Sequence, residues 1–220
     1  MTRVAGILLA AGQGSRMGQP KALIDVGGQP LADRGVALLH DGGASPVIVV
    51  TGATAVDLPG VLTVHNPDWR TGMGSSLRAG LVTVPAESEA AVIALVDQPL
   101  VGPEAVRRLI AAYQAGASVA VAAYAGRPRN PVLLARRHWP EVMSLATGDA
   151  GARTFLRARP ELVTLVECGD TGRPDDIDTP ADLDRVAGLL GEPAVDGSVP
   201  DPGVRNPGVT GPGAGFPSDG

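Results

Sequence analysis

"VAGILLAAGQGSRMG", residues 4–18, sets an unbroken apolar run against a loop holding three glycines and an arginine. Pro20 and Lys21 follow closely. An apolar run without polar alternation reads as a strand covered on both faces, the kind that builds parallel sheets with helices above and below. A glycine-rich loop at the carboxyl end of such a strand can turn backbone N–H groups towards an anion, and Arg16 and Lys21 add two positive charges beside them.

The spacing excludes two common phosphate loops. A P-loop needs Gly, four residues, then Gly-Lys-Ser/Thr. Here Gly18 comes one place late after Gly12, and Lys21 is followed by Ala22 rather than a hydroxyl. A dinucleotide fingerprint needs G-x-G-x-x-G opening straight into a helix. Gly12 and Gly14 fit, but Met17 stands at the third glycine position and Pro20 interrupts the helix. Two readings remain: an extended loop that holds phosphates with its backbone, Arg16 and Lys21, or a glycine-rich surface turn with solvated charges.

Working outward, apolar runs rich in Val, Ile and Leu recur at 4–10, 46–52, 61–66, 91–97, 117–124, 131–135 and 162–167. Segments with helical spacing lie near 30–41, 73–84, 103–115, 136–144, 149–158 and 180–190. The alternation predicts an α/β fold, a single Rossmann-like three-layer domain over residues 1–190 with a mainly parallel central sheet. The last helix is signed at its start: Thr179 suits the N-cap, Pro180 the first helical position and Asp182 the third position of a capping box. From 191 to 220 Gly and Pro dominate, and this tail is expected to be disordered because it has too little apolar surface to offset its chain entropy.

Composition narrows the function. With only 3% aromatic residues, a stacking platform for single-stranded nucleic acid is excluded, and a net charge of −5 argues against duplex binding. A small phosphorylated ligand is compatible, since a few local cations outweigh a modest global charge. Cys168 is the lone cysteine, so no intrachain disulfide forms. His40, His65 and His138 show no ligand spacing, which leaves zinc without enough nitrogen or sulfur donors and points to a hard, oxygen-bound metal. The amino-terminal apolar run leads into glycines and Arg16 instead of a cleavage site, and no stretch approaches the roughly 20 apolar residues of a membrane helix. A cytoplasmic location, with no membrane partner, is the expectation.

Two acidic positions stand out. Asp97 closes the most apolar run and falls at the carboxyl end of a buried strand, where open α/β sheets bind ligands; a turn or cap role is the alternative. In "RPDDIDTPADL" Asp176 and Asp178 precede the last helix, where acids also favour the positive helix end; Asp182 is assigned that structural role. "RTGMGSSLRAGL" puts Gly72, Gly74, Ser75 and Ser76 at a helix start, either as a capping site or as donors to a base or ribose.

The stretch "LLAAGQGSRMGQPKAL" resembles the L-A-A-G-x-x-x-R-M-G-x-x-K signature of the MobA-like NTP transferases, and more narrowly their molybdenum cofactor cytidylyltransferase branch. "NPDWRTGMGSSLRAGL", "ALVDQPLV", "GRPRNPVLL", "GDAGAR" and "DIDTPADL" continue the resemblance in the family's order, over residues 4 to about 190. The resemblance implies a nucleotide-diphospho-sugar transferase-like fold and transfer of a nucleoside monophosphate from an NTP to a phosphorylated acceptor, with release of pyrophosphate. It places Leu9, Ala10, Ala11, Gly12, Gly14, Ser15, Gly74, Ser75 and Ser76 around the nucleotide. Arg16 would take the β and γ phosphates and Lys21 the transition-state charge. Asp97 takes the family's Mg2+ position, Asp178 the second ligand, with Asp176 in reserve. Arg127, Arg129, Asn130 and Arg153 fall on the acceptor side, where Asn130 replaces the family's usual histidine.

Guanylyl members read L-A-G-G where this chain has Leu9-Ala10-Ala11-Gly12, so the resemblance implies CTP over GTP, with the Ala11 methyl crowding a purine. The implied acceptor is molybdopterin cofactor and the implied partner a molybdenum hydroxylase. A methylerythritol phosphate or sugar phosphate acceptor, and a non-catalytic accessory that only delivers cofactor, are the alternatives.

Overall fold

The computed structural model describes residues 3–190. The expected tail at 191–220 lies outside the described residues. The opening apolar run is β1 (Val4–Leu9), every residue of it buried. It is followed in chain order by β2 (Asp25–Val26), β3 (Gln29–Pro30), α1 (Leu31–Asp41), β4 (Val47–Thr51), β5 (Leu62–His65), α2 (Met73–Thr83) and β6 (Ala90–Leu95). Then come α3 (Pro103–Gln114), β7 (Val119–Tyr124), β8 (Arg127–Ala135), α4 (Trp139–Leu145), α5 (Arg153–Ala158), β9 (Val163–Glu167) and α6 (Pro180–Leu189).

Seven strands form one sheet in the order β5-β4-β1-β6-β8-β7-β9. β1 pairs in parallel with β4 and β6, β4 with β5, and β7 with β9. Only β8 runs against its neighbours, β6 and β7. The sheet is therefore mainly parallel, as the unbroken apolar runs imply. Strand alternation sorts the core into two layers. Val4 and Leu8 join Leu38 and Leu39 of α1 and Val106 and Leu109 of α3, with Val186 of α6. Ala5, Ile7 and Leu9 join Leu77 and Leu81 of α2, Trp139 of α4 and Phe155 of α5. Each fully buried Leu or Ile contributes about 1.5–3 kcal/mol by leaving water, so both faces of β1 are held firmly.

Several boundaries differ from those expected. β8 begins at Arg127 rather than 131, because "RPRN" completes a hairpin with β7, pairing Arg127 with Tyr124. That polar stretch carries no strand signal. The short β2–β3 hairpin has two residues a side, too few for any periodicity. The helix expected at 136–144 opens as a 3-10 turn at Arg136–His138 before α4. The one expected at 149–158 breaks into a 3-10 turn at Gly148–Ala150 and α5, since Gly151 has φ +53°, which no continuous helix allows. The capping box of α6 is present as read: Thr179 accepts from Asp182 N–H, and the Asp182 carboxylate accepts from Thr179 N–H at 2.9 Å.

No helix among the described residues is long and apolar enough to cross a membrane. The carboxyl ends of β1, β4 and β6 lie side by side, and the chain leaving them builds the site.

Candidate active site

The loop after β1 is anchored before it turns. Ala10 N–H donates to Val50 O at 2.9 Å, and Ala11 O accepts from Ala53 N–H at 3.0 Å. The loop then folds back on itself, Met17 N–H donating to Gly14 O at 2.8 Å. Gly14 has φ +63°, and a Cβ there would stand 2.1 Å from Gln19 O and 3.1 Å from Lys21 N. Glycine is therefore required at 14 both for its backbone angle and for the approach of the loop's two limbs.

The loop rims a cleft of about 350 Å³. Gly12, Gly14 and Ser15 line one side, Met73, Ser76 and Asp149 the other, Leu9, Ala11 and Leu95 the apolar part, and Lys21 and Asp97 the charged end. Lys21 opens a 3-10 turn straight after the loop. Its Nζ donates to Asp97 Oδ2 at 2.8 Å and to Asp178 Oδ1 at 2.6 Å. Asp97 follows β6, while Asp178 precedes α6 in a strap that Ile177 N–H fastens to Asp97 O at 2.9 Å. Burial works against the ammonium charge, but the Asp97 and Asp178 carboxylates outweigh it and hold the Lys21 pKa above its ordinary value.

Asp176 stands one step aside. The residue as a whole is exposed, yet its carboxylate accepts from Gln98 Nε2 at 2.8 Å. Partial burial of that end raises its pKa, the Gln98 hydrogen bond opposes the rise, and the charges of Asp97 and Asp178 add to it. Gln98 itself is buried, so this pair props the strap against the end of β6.

The opposite wall rests on Asn66, which is buried between β5 and α2. Its amide donates to Ser75 Oγ at 2.8 Å and Ser76 Oγ at 3.0 Å, and its Oδ1 accepts from Asp68 N–H at 3.0 Å. The start of α2 corrects the capping alternative: its N-cap is Gly72, with no side-chain cap, and the two serines lie inside the helix. Ser75 also reaches Gly72 O and Asp68 O, so its hydroxyl is engaged behind the wall. Gly74 faces Ala146, where a Cβ would meet the backbone at 2.6 Å, and it serves packing there. Of the predicted trio, Ser76 alone borders the cleft.

The other expected positions are spread more widely. Arg16 is exposed, with no hydrogen bond or ion pair to another described residue. Asn130 lies two residues before Val132, which pairs with Ile93, so the antiparallel register brings it to the carboxyl end of β6. Arg127 sits at the far hairpin turn and is exposed, as is Arg129. Arg153 is exposed and donates to Asp149 O at 2.9 Å, bracing the turn that carries Asp149 to the cleft. Ala11, only 6% exposed, borders the cleft at the anchored start of the loop.

The sequence reading passed over Asn66, Trp69 and Asp149. Trp69 lies along the cleft with the Arg70 guanidinium 4.4 Å above its ring. A tryptophan in a chain with so few aromatic residues was the available signal, as was the aspartate of "GDAGAR".

Whether these residues suit a divalent cation is decided by the donors. Among the described residues no group of three or more His, Cys, Asp or Glu side chains is placed to hold a metal. Two carboxylate oxygens nevertheless converge on one point, at present that of the Lys21 ammonium. One or two carboxylates with the remaining positions left to phosphates and water is the usual environment of Mg2+ beside a nucleotide. Asp97 and Asp178 thus fit a metal that arrives with a triphosphate.

Known proteins share this architecture. The chain is 36% identical over 197 residues to nicotine blue oxidoreductase of Paenarthrobacter nicotinovorans, covering 83% of this chain and 96% of that protein. It is 36% identical over 109 residues to the molybdenum cofactor guanylyltransferase of Xanthomonas euvesicatoria pv. vesicatoria, covering 50% of this chain and 54% of that one. The crystal structure of Rv0371c in complex with manganese, from Mycobacterium tuberculosis H37Rv, superposes with a TM-score of 0.71 at 26% identity, covering 85% of this chain and 98% of that one. Residues 6–163 match the MobA-like NTP transferase domain, and the chain belongs to that family.

Proposed function

We propose that the protein is a nucleotidyltransferase that moves CMP from CTP to a phosphorylated acceptor, molybdopterin cofactor first among the candidates, and releases pyrophosphate. The observation that carries this reading is the meeting of Lys21, Asp97 and Asp178 at the charged end of a cleft rimmed by a glycine-rich loop. A phosphate oxygen of the acceptor attacks the α-phosphorus, and the bond to the β-phosphate oxygen breaks. Two polyanions must approach one another, so the protein's task is positioning and charge neutralisation.

Backbone N–H groups of Gly12, Gly14 and Ser15 serve the triphosphate, with Arg16 folding over the β and γ groups and Lys21 following the charge that develops on transfer. Asp97 and Asp178 hold Mg2+, which when bound supplies neutralisation of the phosphate oxygens. Ser76 and the Ala11 backbone face the base. Asn130, at the end of β6, lies on the acceptor side, and the product would pass to a molybdenum hydroxylase. Ala11→Gly is expected to raise turnover with GTP relative to CTP by about tenfold, the size of discrimination one methyl provides in a packed pocket.

The likeness to nicotine blue oxidoreductase supports a second, redox reading. One experiment separates them. The protein is incubated with Mg2+, labelled CTP or GTP and a panel of phosphorylated acceptors, with a parallel arm following NADH and NADPH oxidation in the presence of nicotine blue. A labelled cytidylyl product is expected, with no such product from Asp97→Ala. Nicotinamide oxidation without any nucleotidyl product refutes the transferase, equal rates with CTP and GTP refute the base assignment, and full turnover by Asp97→Ala refutes the mechanism.

A further inference from the structure

We propose that Lys21 is the resident cation of the Asp97–Asp178 pair in the free protein, and that its ammonium keeps a divalent metal out until nucleotide phosphates draw it away. The second half rests on the nucleotide reading above; the first stands on geometry alone. Nζ lies 2.8 Å from Asp97 Oδ2 and 2.6 Å from Asp178 Oδ1, so one nitrogen occupies the point on which both carboxylates converge. A Mg2+ or Mn2+ ion held by both oxygens would compete for that same space. The two cations exclude one another.

In the free protein the lysine is held by both carboxylates. Its side chain is 16% exposed, and its ion-pair partners among the described residues are the two carboxylates that a metal would claim. A metal entering alone must therefore strip a partly buried ammonium of both partners, a costly step. A triphosphate changes the balance. Gly12, Gly14 and Ser15 line the cleft together with Lys21, so phosphates held there offer the ammonium a new anionic partner. Metal and nucleotide then load together, and the lysine delivered to the phosphates is the one whose departure opens the metal position. Lys21 acts as a placeholder before it acts on the substrate.

The test is Mn2+ binding to the full chain without nucleotide, read from the electron paramagnetic resonance signal of free Mn2+. Wild type is compared with Lys21→Met and with Lys21→Met/Asp97→Asn, each checked by circular dichroism; Lys21→Gln replaces Lys21→Met if the latter does not fold. Loss of the competing charge is expected to tighten Mn2+ binding by about tenfold or more, and the added Asp97→Asn change to remove the gain. Wild type that binds Mn2+ as tightly as the lysine variants overturns the proposal. So does a gain that survives Asp97→Asn, which would place the ion elsewhere. A further arm adds a CTP analogue that cannot react and is expected to narrow the gap between wild type and Lys21→Met. Because the first arms contain no nucleotide, they can fail while transferase activity is intact, or succeed in a protein that transfers nothing.

Discussion

Alanine at each of the three loop glycines puts the same methyl into different surroundings. At Gly12 nothing lies within 4 Å of the added Cβ. Gly12→Ala should leave stability unchanged or raise it by about 0.4–1 kcal/mol through the unfolded chain, so a loss of nucleotide binding there reports the ligand's own approach. At Gly18 the space is also open, but φ is +71°. The left-handed backbone alone costs an L-residue about 1–2 kcal/mol, a fall of about 2–8 °C in Tm at this chain length. Gly14 shares that conformation and adds a contact 2.1 Å from Gln19 O. Restoring ordinary contact forces the backbone before Lys21 to retreat by about 1 Å, for a total of about 3 kcal/mol or more. A displacement of that size at a reacting group lowers turnover by about a hundredfold. Thermal unfolding measures the first quantity and pyrophosphate release with Mg2+ and CTP the second. If Gly14→Ala matches Gly18→Ala in both Tm and rate, the folded-back loop does not position Lys21 and the reasoning fails.

Asp97→Asn and Asp178→Asn should each lower turnover by about 10²–10³-fold, and Asp176→Asn by less than about tenfold, because only the first two face the cation position; steady-state rates distinguish them. Arg16→Ala removes a side chain without partners among the described residues, so Tm should stay within about 1 °C while turnover collapses. Asn66→Ala leaves two serine hydroxyls and an N–H without their buried partner, and denaturant unfolding should show a loss of about 2–3 kcal/mol. Burial, with the Arg137 charge, holds the His138 pKa below its ordinary 6.5. The unfolded chain then binds the proton first as pH falls, so stability present above 6.5 is lost on the way down to the folded value. The urea midpoint of His138→Gln should vary less than that of wild type between about pH 7 and pH 5.

The central strands were legible because helices cover them on both faces, which leaves unbroken apolar runs such as "AVIALV", whereas the edge strands β5 and β9 keep exposed residues. The direction of β8 was not legible, since an apolar run carries no sign of the way it points, and "RPRN" looks like a loop until its partner β7 is in place. Lys21, Asp97 and Asp178 were readable as charged groups at a loop, a strand end and a helix start, and these three do meet. Arg16, equally visible in the sequence, stands apart from them. Asn66 and Asp149 escaped notice for different reasons: the first does its work through hydroxyls on the next helix, the second through a turn set by glycine angles. The serines of α2 fit a cap as readily as a nucleotide contact in the sequence, because a helix start cannot be told from its first turn by spacing alone.

The strap carrying Asp178 has a consequence for biogenesis. The loop, the cleft floor and Asp97 are all made before residue 100, whereas the partner carboxylate is made after β9 and lies beyond the matched span of 6–163. On the ribosome, a chain still lacking its last helix would fold the sheet and present Lys21 to Asp97 alone. Completion of the carboxylate pair waits for Ile177 to fasten the strap to Asp97 O, so a prematurely released fragment would carry the recognisable motif without its second carboxylate.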